Sequence, residues 1–254
     1  MRQIKQSIKR IIPKKIWHQL FNIRRSIKRN LRREDFLRKK YQWESRPAGI
    51  DLARKKYKSY SEYLKHQKSK LATIKEKWLP EYDIKYRVAL RKRLEKAKIV
   101  KPKMSVLCLA ARIGTEVKSF LDLGCFAVGL DINPGKNNKY VVYGDFHDIQ
   151  FVDNSVDVIF TNSLDHVFDF DRFIKEIKRV LKPGGFLILE IFKGRQEGMI
   201  SGYYESVAWD KINDVLDIFT KSGFKVVAES DFTFPWKGGR HVSLSLSRNV
   251  GSKI

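Results

Sequence analysis

The sequence predicts an α/β fold: a Rossmann-like, seven-stranded, mostly parallel sheet with helices on both faces, preceded by an α-helical basic N-terminal region. Three observations predict it. Beyond Lys103, apolar strand-like runs alternate with helical patterns. The stretch Lys103–Pro134 reads as strand, tight turn, helix and strand, with an acidic residue closing the second strand. Charge is unevenly shared. Residues 1–103 hold 34 Lys+Arg against 9 Asp+Glu, a net of +25, whereas residues 104–254 hold 18 against 19, a net of −1. That split marks a basic appendage on an ordinary globular domain. Three parts follow: a basic amphipathic arm at 1–33, a helical lobe at 34–102 and an α/β domain at 103–254.

In the arm, Ile16, Leu20, Ile23, Ile27 and Leu31 form one helical stripe. The opposite face carries Lys14, Lys15, Arg24, Arg25, Lys28, Arg29, Arg32 and Arg33, and Trp17 and Phe21 flank the stripe. This composition suits an anionic membrane surface, where each basic residue contributes ~1 kcal/mol. Docking on a protein surface and binding to nucleic acid are the alternatives, the second less favoured. In the lobe, Arg46-Pro47-Ala48-Gly49 is a break, and Ser59 with Glu62 forms a capping box for a helix running to about Trp78. Leu79-Pro80 ends it. A further helix from about Asp83 carries Ile84, Val88, Leu90 and Leu94.

In the α/β domain, strand one covers about 104–110 and helix A about 114–123. Strand two is Phe126–Ile132, and a short strand at Tyr140–Tyr143 precedes Gly144-Asp145-Phe146. Strand four is Val156–Thr161. Helix D, about 169–181, ends in the turn signal Lys182-Pro183-Gly184-Gly185, and strand five is Phe186–Phe192. Helix E, about 210–222, ends at Gly223; strands six and seven are Lys225–Ser230 and Val242–Ser247. A ligand belongs at the carboxyl ends of strands one, two and four. Cys108 and Cys125 lie in apolar surroundings without metal-ligand neighbours, so both read as reduced core thiols of a cytoplasmic protein, and no metal is expected. No apolar run is long enough for a membrane span, and the N-terminus lacks the apolar core of a secretory signal.

The pieces VLCLAARIGTE, GLDINP, YGDFHD, VDVIFTNSLDHV and FIKEIKRVLKPGGFLILE occur in one register over about 140 residues. In that order they resemble the class I S-adenosylmethionine-dependent methyltransferases of the small-molecule type. The resemblance implies S-adenosylmethionine as cofactor. Asp131, 17 residues beyond Gly114, is placed to accept both ribose hydroxyls, or else caps the Ile132-Asn133-Pro134 turn. Asp145 matches the acid that receives the adenine amino group, with Ile132 and Phe146 beside the nucleoside. Asn162 and Ser163 close strand four under the sulfonium. Asp165 and His166 face the substrate side. His166 is the leading general-base candidate, with Asp165 as an alternative base or as the group that orients the imidazole. His147 is a lesser candidate. The segment Lys193–Trp209 reads as a substrate lid in which Glu205 and Trp209 either bind substrate or tie the loop down.

The turn departs from the family's Asp/Glu-x-Gly-x-Gly-x-Gly: those positions hold Cys108, Ala110, Arg112 and Gly114. Either Arg112 reaches the methionine carboxylate and Glu116 replaces the missing acid, or the pocket is impaired. The leading expectation is O-methylation of a small-molecule or glycan acceptor, with the arm holding the protein peripherally on a membrane. RNA methylation and a non-catalytic binding module are the alternatives. The Asn/Asp-Pro-Pro-Tyr/Phe run that serves exocyclic base nitrogens is absent, which weighs against nucleic acid.

Overall fold

The computed structural model describes residues 43–44, 52–70, 79–199, 201–235 and 238–246. The arm read at 1–33 lies outside the described residues; the helix opened by Ser59, expected to run to about Trp78, ends at Lys68 with Ser69 as its C-cap. In chain order the elements are β1 (Trp43–Glu44), β2 (Leu52–Lys55), α1 (Tyr60–Lys68), α2 (Leu79–Ala97), β3 (Ser105–Leu109), α3 (Thr115–Leu121), β4 (Phe126–Asp131) and β5 (Val141–Tyr143). They continue with β6 (Val156–Thr161), α4 (Phe170–Val180), β7 (Leu181–Phe192), β8 (Val207–Trp209), α5 (Ile212–Lys221), β9 (Phe224–Phe232) and β10 (Gly239–Leu246).

Seven strands form one sheet in the order β5-β4-β3-β6-β7-β10-β9. The pairs β3–β4, β3–β6, β4–β5 and β6–β7 are parallel, and only β10 is reversed, pairing antiparallel with both neighbours. The expected doubly wound sheet is therefore present. Its central strands read as unbroken apolar runs because both faces are covered. One core lies against α4 and α5, the other against α2 and α3. Both cysteines are buried and free.

Three local expectations change. Residues 52–55, read as part of a helical lobe, form β2, which pairs antiparallel with β1 and with β8 in a second, three-stranded sheet. Residues 207–209, read as the end of an open lid, are the other half of that pairing, with Leu52 opposite Trp209. No local pattern announces a pairing across so long a loop. Pro80 does not end a helix but stands in the first turn of α2, where its missing N–H costs nothing. The buried face of α2 is Tyr86, Leu90 and Leu94, spaced by four, while Ile84 and Val88 remain 65% and 43% exposed. The Lys182–Gly185 turn signal is a bulge inside β7, with a register shift against β6 and Gly184 at φ 79°. Among the described residues no helix is long and apolar enough to cross a membrane.

Candidate active site

The cleft opens at the carboxyl ends of β3, β4 and β6, and its floor is the turn between β3 and α3. Ala110 and Arg112 sit at φ 54° and 45°, in the left-handed region that glycine enters without penalty. The backbone thus keeps the path of a glycine-rich turn although the side chains changed, at a cost of roughly 1–2 kcal/mol per residue. Gly114, at φ 80°, is the one glycine the turn cannot exchange. A Cβ there would stand 2.7 Å from the Cβ of Tyr140. The strained conformation is held by hydrogen bonds at both peptide ends. The Arg112 N–H donates to Asp131 Oδ2 at 2.9 Å, and the Asn138 amide donates to the Arg112 carbonyl at 2.9 Å. Asp131 also accepts the Asn133 N–H at 2.7 Å. The carboxylate that closes β4 therefore both caps the following turn and fastens the floor.

Ala110, Arg112, Asp131, Ile132, Phe146, Ser163 and His166 line one compartment, together with Tyr63, Gln67 and Lys70 from the α1 segment. A second compartment of about 310 Å³ adjoins it, shares Ala110, Arg112, Ser163, His166 and Lys70, and adds Glu116, Asn162, Asp165 and Glu205. Asp145 does not open on either. Its Oδ1 accepts the His147 N–H at 2.9 Å and meets His147 Nδ1 at 3.0 Å, and its Oδ2 accepts the Tyr60 hydroxyl. Phe146 beside it reaches the compartment wall. Trp209 is buried in β8, with its indole N–H on the Phe192 carbonyl at 2.9 Å. It ties the segment down, and its ring lines a third cavity with Asp165, Glu205, Phe192, Met199 and Val207.

The second compartment has two chemical ends. At one end Glu116 is buried, and Asn162 Nδ2 donates to its Oε1 at 3.0 Å. Burial pushes its carboxyl up to about 7, against the pull of Arg112 and Asn162. At the other end, Asp165, His166, Lys70 and Glu205 meet. His166 Nδ1 faces the Tyr204 carbonyl at 3.0 Å, which assigns the proton to Nδ1. Nε2 then accepts from Lys70 Nζ at 2.5 Å and stands 3.5 Å from Asp165 Oδ2. Burial, followed by the charges of Lys70 and Arg112, holds this imidazole well below its ordinary range. The lone pair required of a general base is occupied by an ammonium group, so His166 serves as a neutral acceptor that holds Lys70. Burial lowers Lys70 to about 8, with Asp165 opposing. Burial raises the Asp165 carboxyl, against Lys70, and raises Glu205, to which the charge of Asp165 adds. Glu205 Oε2 is buried and has no hydrogen-bond partner among the described residues.

Tyr63, Gln67 and Lys70 escape a reading of the α/β domain alone. The Tyr63 hydroxyl donates to the His166 carbonyl at 2.9 Å, and the Gln67 amide donates to the Tyr204 carbonyl and Ser206 Oγ, both at 2.9 Å. The spacing of four after a capping box places Tyr63 and Gln67 on one face of α1, and Lys70 follows in the turn beyond its C-cap Ser69.

An acidic residue closing the second parallel strand, a left-handed turn before α3, and the sheet order with one reversed strand are features of the class I S-adenosylmethionine-dependent methyltransferase fold. Residues 107–189 match the family model described as a methyltransferase domain. The chain is similar to a demethylmenaquinone methyltransferase of Corynebacterium glutamicum, at 33% identity over 109 residues, 40% of this chain and 47% of that protein. It is also similar to a ubiquinone/menaquinone biosynthesis C-methyltransferase of Rickettsia typhi, at 29% over 109 residues, 42% of this chain and 44% of that protein. The match thus spans about half the length of these relatives. In fold it resembles the Burkholderia thailandensis 1,6-didemethyltoxoflavin-N1-methyltransferase, with TM-score 0.58 and 14% identity over 81% of this chain and 99% of that one.

The donor set fits the cofactor of this class. Asp131 offers acceptors to ribose hydroxyls, and Glu116 and Arg112 offer one charge of each sign to an amino acid. Asp145 fits less directly, because it lines neither compartment and its oxygens are engaged by His147 and by Tyr60 of α1.

Proposed function

We propose that this chain is an S-adenosylmethionine-dependent methyltransferase acting on a small molecule that carries an acidic hydroxyl. When bound, the cofactor supplies a methyl group activated by its sulfonium. The protein's own work is alignment and proton removal. Asp131 and the turn hold the nucleoside end, and Glu116 and Arg112 hold the amino acid end. Alignment of this kind is worth several powers of ten in effective molarity.

The observation that carries the acceptor reading is the carboxyl pair Asp165 and Glu205. Both have raised proton affinity, and one oxygen of Glu205 is buried with no hydrogen-bond partner among the described residues. A carboxyl of raised proton affinity on the cavity wall takes a proton from an acceptor hydroxyl as methyl transfer proceeds. Lys70 beside Asp165 keeps that residue's carboxylate form accessible. Phe192, Met199 and Trp209 line the cavity beyond the pair, which suits an apolar ring or chain better than a polyhydroxylated sugar. Incubation with methyl-labelled cofactor and two acceptor panels, phenolic and carbohydrate, tests this. Label in the phenolic products alone supports the reading, and label in the sugars alone sinks it.

Carbon methylation is the second reading. The similarity to C-methyltransferases over 109 residues favours it, and the same base would ionise a ring hydroxyl. The carbon chemical shift of the transferred methyl distinguishes the two. For the arm at 1–33 the sequence supports an anionic membrane surface. Flotation with phosphatidylserine vesicles is expected to carry the intact chain and not one truncated before residue 34.

A further inference from the structure

Glu190 lies near the carboxyl end of β7, 1% exposed, beside the apolar cluster that packs on α2 and α3 and opposite His241 of β10. Its Oε1 accepts Arg93 Nε at 2.5 Å and faces His241 Nδ1 at 3.3 Å. Its Oε2 accepts the Tyr86 hydroxyl at 2.7 Å. Hydrogen bonds from His241 and Arg93 and the Arg93 charge keep this carboxyl ionised against its burial. A carboxylate only accepts, so Tyr86 must donate to it. The Tyr86 oxygen is then left to accept, and Asn162 Nδ2 donates to it at 2.8 Å. The same nitrogen donates to Glu116 Oε1, while Asn162 Oδ1 accepts Ser163 Oγ at 3.0 Å. Every donor direction from Glu190 to the cleft is thereby fixed. The Asn162 amide has one admissible orientation, and it places a neutral donor on Glu116.

A buried charge pair is weak grounds for stability, since an apolar replacement is often neutral or better. This chain of contacts, however, does not end in the core. It runs from α2 through β7 and the end of β6 to Glu116 on the cavity wall. The strand-four end and the helix-A acid, taken separately in the sequence, are one unit with a tyrosine of the N-terminal lobe.

We propose that Tyr86, held as a donor by Glu190, is a positioning residue: through Asn162 it sets Glu116 to receive the ammonium group of the cofactor's amino acid end. This rests on the methyltransferase reading. Two probes separate it from that reading and from a merely structural role. S-adenosylhomocysteine carries the amino acid end and 5′-methylthioadenosine lacks it. In the Tyr86→Phe variant, S-adenosylhomocysteine is expected to bind about tenfold more weakly, the size of one hydrogen bond to a charged group. Binding of 5′-methylthioadenosine should equal wild type, which also reports that the variant is folded. Glu190→Gln keeps an acceptor for the tyrosine and is expected to lose less. Unchanged S-adenosylhomocysteine affinity in Tyr86→Phe overturns the proposal. So does an equal loss of both ligands, or of all binding, because Tyr86 would then serve the fold alone. A wild-type protein that binds neither nucleoside refutes the methyltransferase reading itself.

Discussion

On the cofactor side of the cleft, the decisive contacts run through the backbone: Arg112 and Asn133 each give an N–H to Asp131, and Asn138 holds the Arg112 carbonyl. On the acceptor side, Lys70, Asp165 and Glu205 come from three separated segments, and it is their side chains that face the cavity, while the Ser206 N–H on the Asp165 carbonyl joins two of those segments. The first wall tolerates side-chain replacement as long as the path of the chain survives. Ala110 and Arg112 standing in left-handed positions are the result. The second wall changes its chemistry with any one residue.

The largest expected effect breaks the second wall and spares the first. Replacing both carboxyls (Asp165→Asn with Glu205→Gln) should lower turnover by about 10²- to 10⁴-fold, the usual worth of a general base. Calorimetry should find S-adenosylhomocysteine affinity unchanged, and a matching loss there would merge the two walls into one. A smaller effect comes from pH. Glu116, surrounded by Arg112, Tyr82, Asn162 and the more distant Glu190, has its carboxyl raised to about 7. Its carboxylate form is lost as pH falls through that value. Affinity for S-adenosylhomocysteine, measured by titration at a series of pH values, should therefore decline about tenfold per unit below pH ~7, and Glu116→Gln should flatten the profile. The same raised value means that the folded state holds this proton more tightly than the unfolded chain. Its contribution to stability therefore falls as pH rises from the ordinary 4.5 toward about 7. The smallest effect is on the floor. Ala110→Gly removes a left-handed alanine and should stabilise by about 1 kcal/mol. Calorimetric melting should register a rise of about 2–4 °C in Tm; a fall would mean that the alanine methyl packs better than its backbone conformation costs.

The parts of this molecule legible in the sequence are those fixed by short-range pattern. The apolar runs of β3, β6 and β7 and the acid ending β4 follow from periodicity and spacing. The helix begun by Ser59 follows from its capping box; the Ser59 hydroxyl accepts the Glu62 N–H. The turn at 110–112 was legible in place but not in conformation, since alanine and arginine do not announce a positive φ. The sequence around His166 does not show Lys70, which only the tertiary fold brings to its Nε2. The β2–β8 pairing and the Glu190–Tyr86–Asn162 chain depend on contacts far apart in sequence, which no local pattern encodes.

The most direct test is a calorimetric titration of S-adenosylmethionine into the intact protein and into Asp131→Ala. One binding site per chain, lost or weakened about 100-fold in the variant as two charge-assisted contacts disappear, is the expected result. An absence of binding heat, or an isotherm that Asp131→Ala leaves unchanged, would contradict the account.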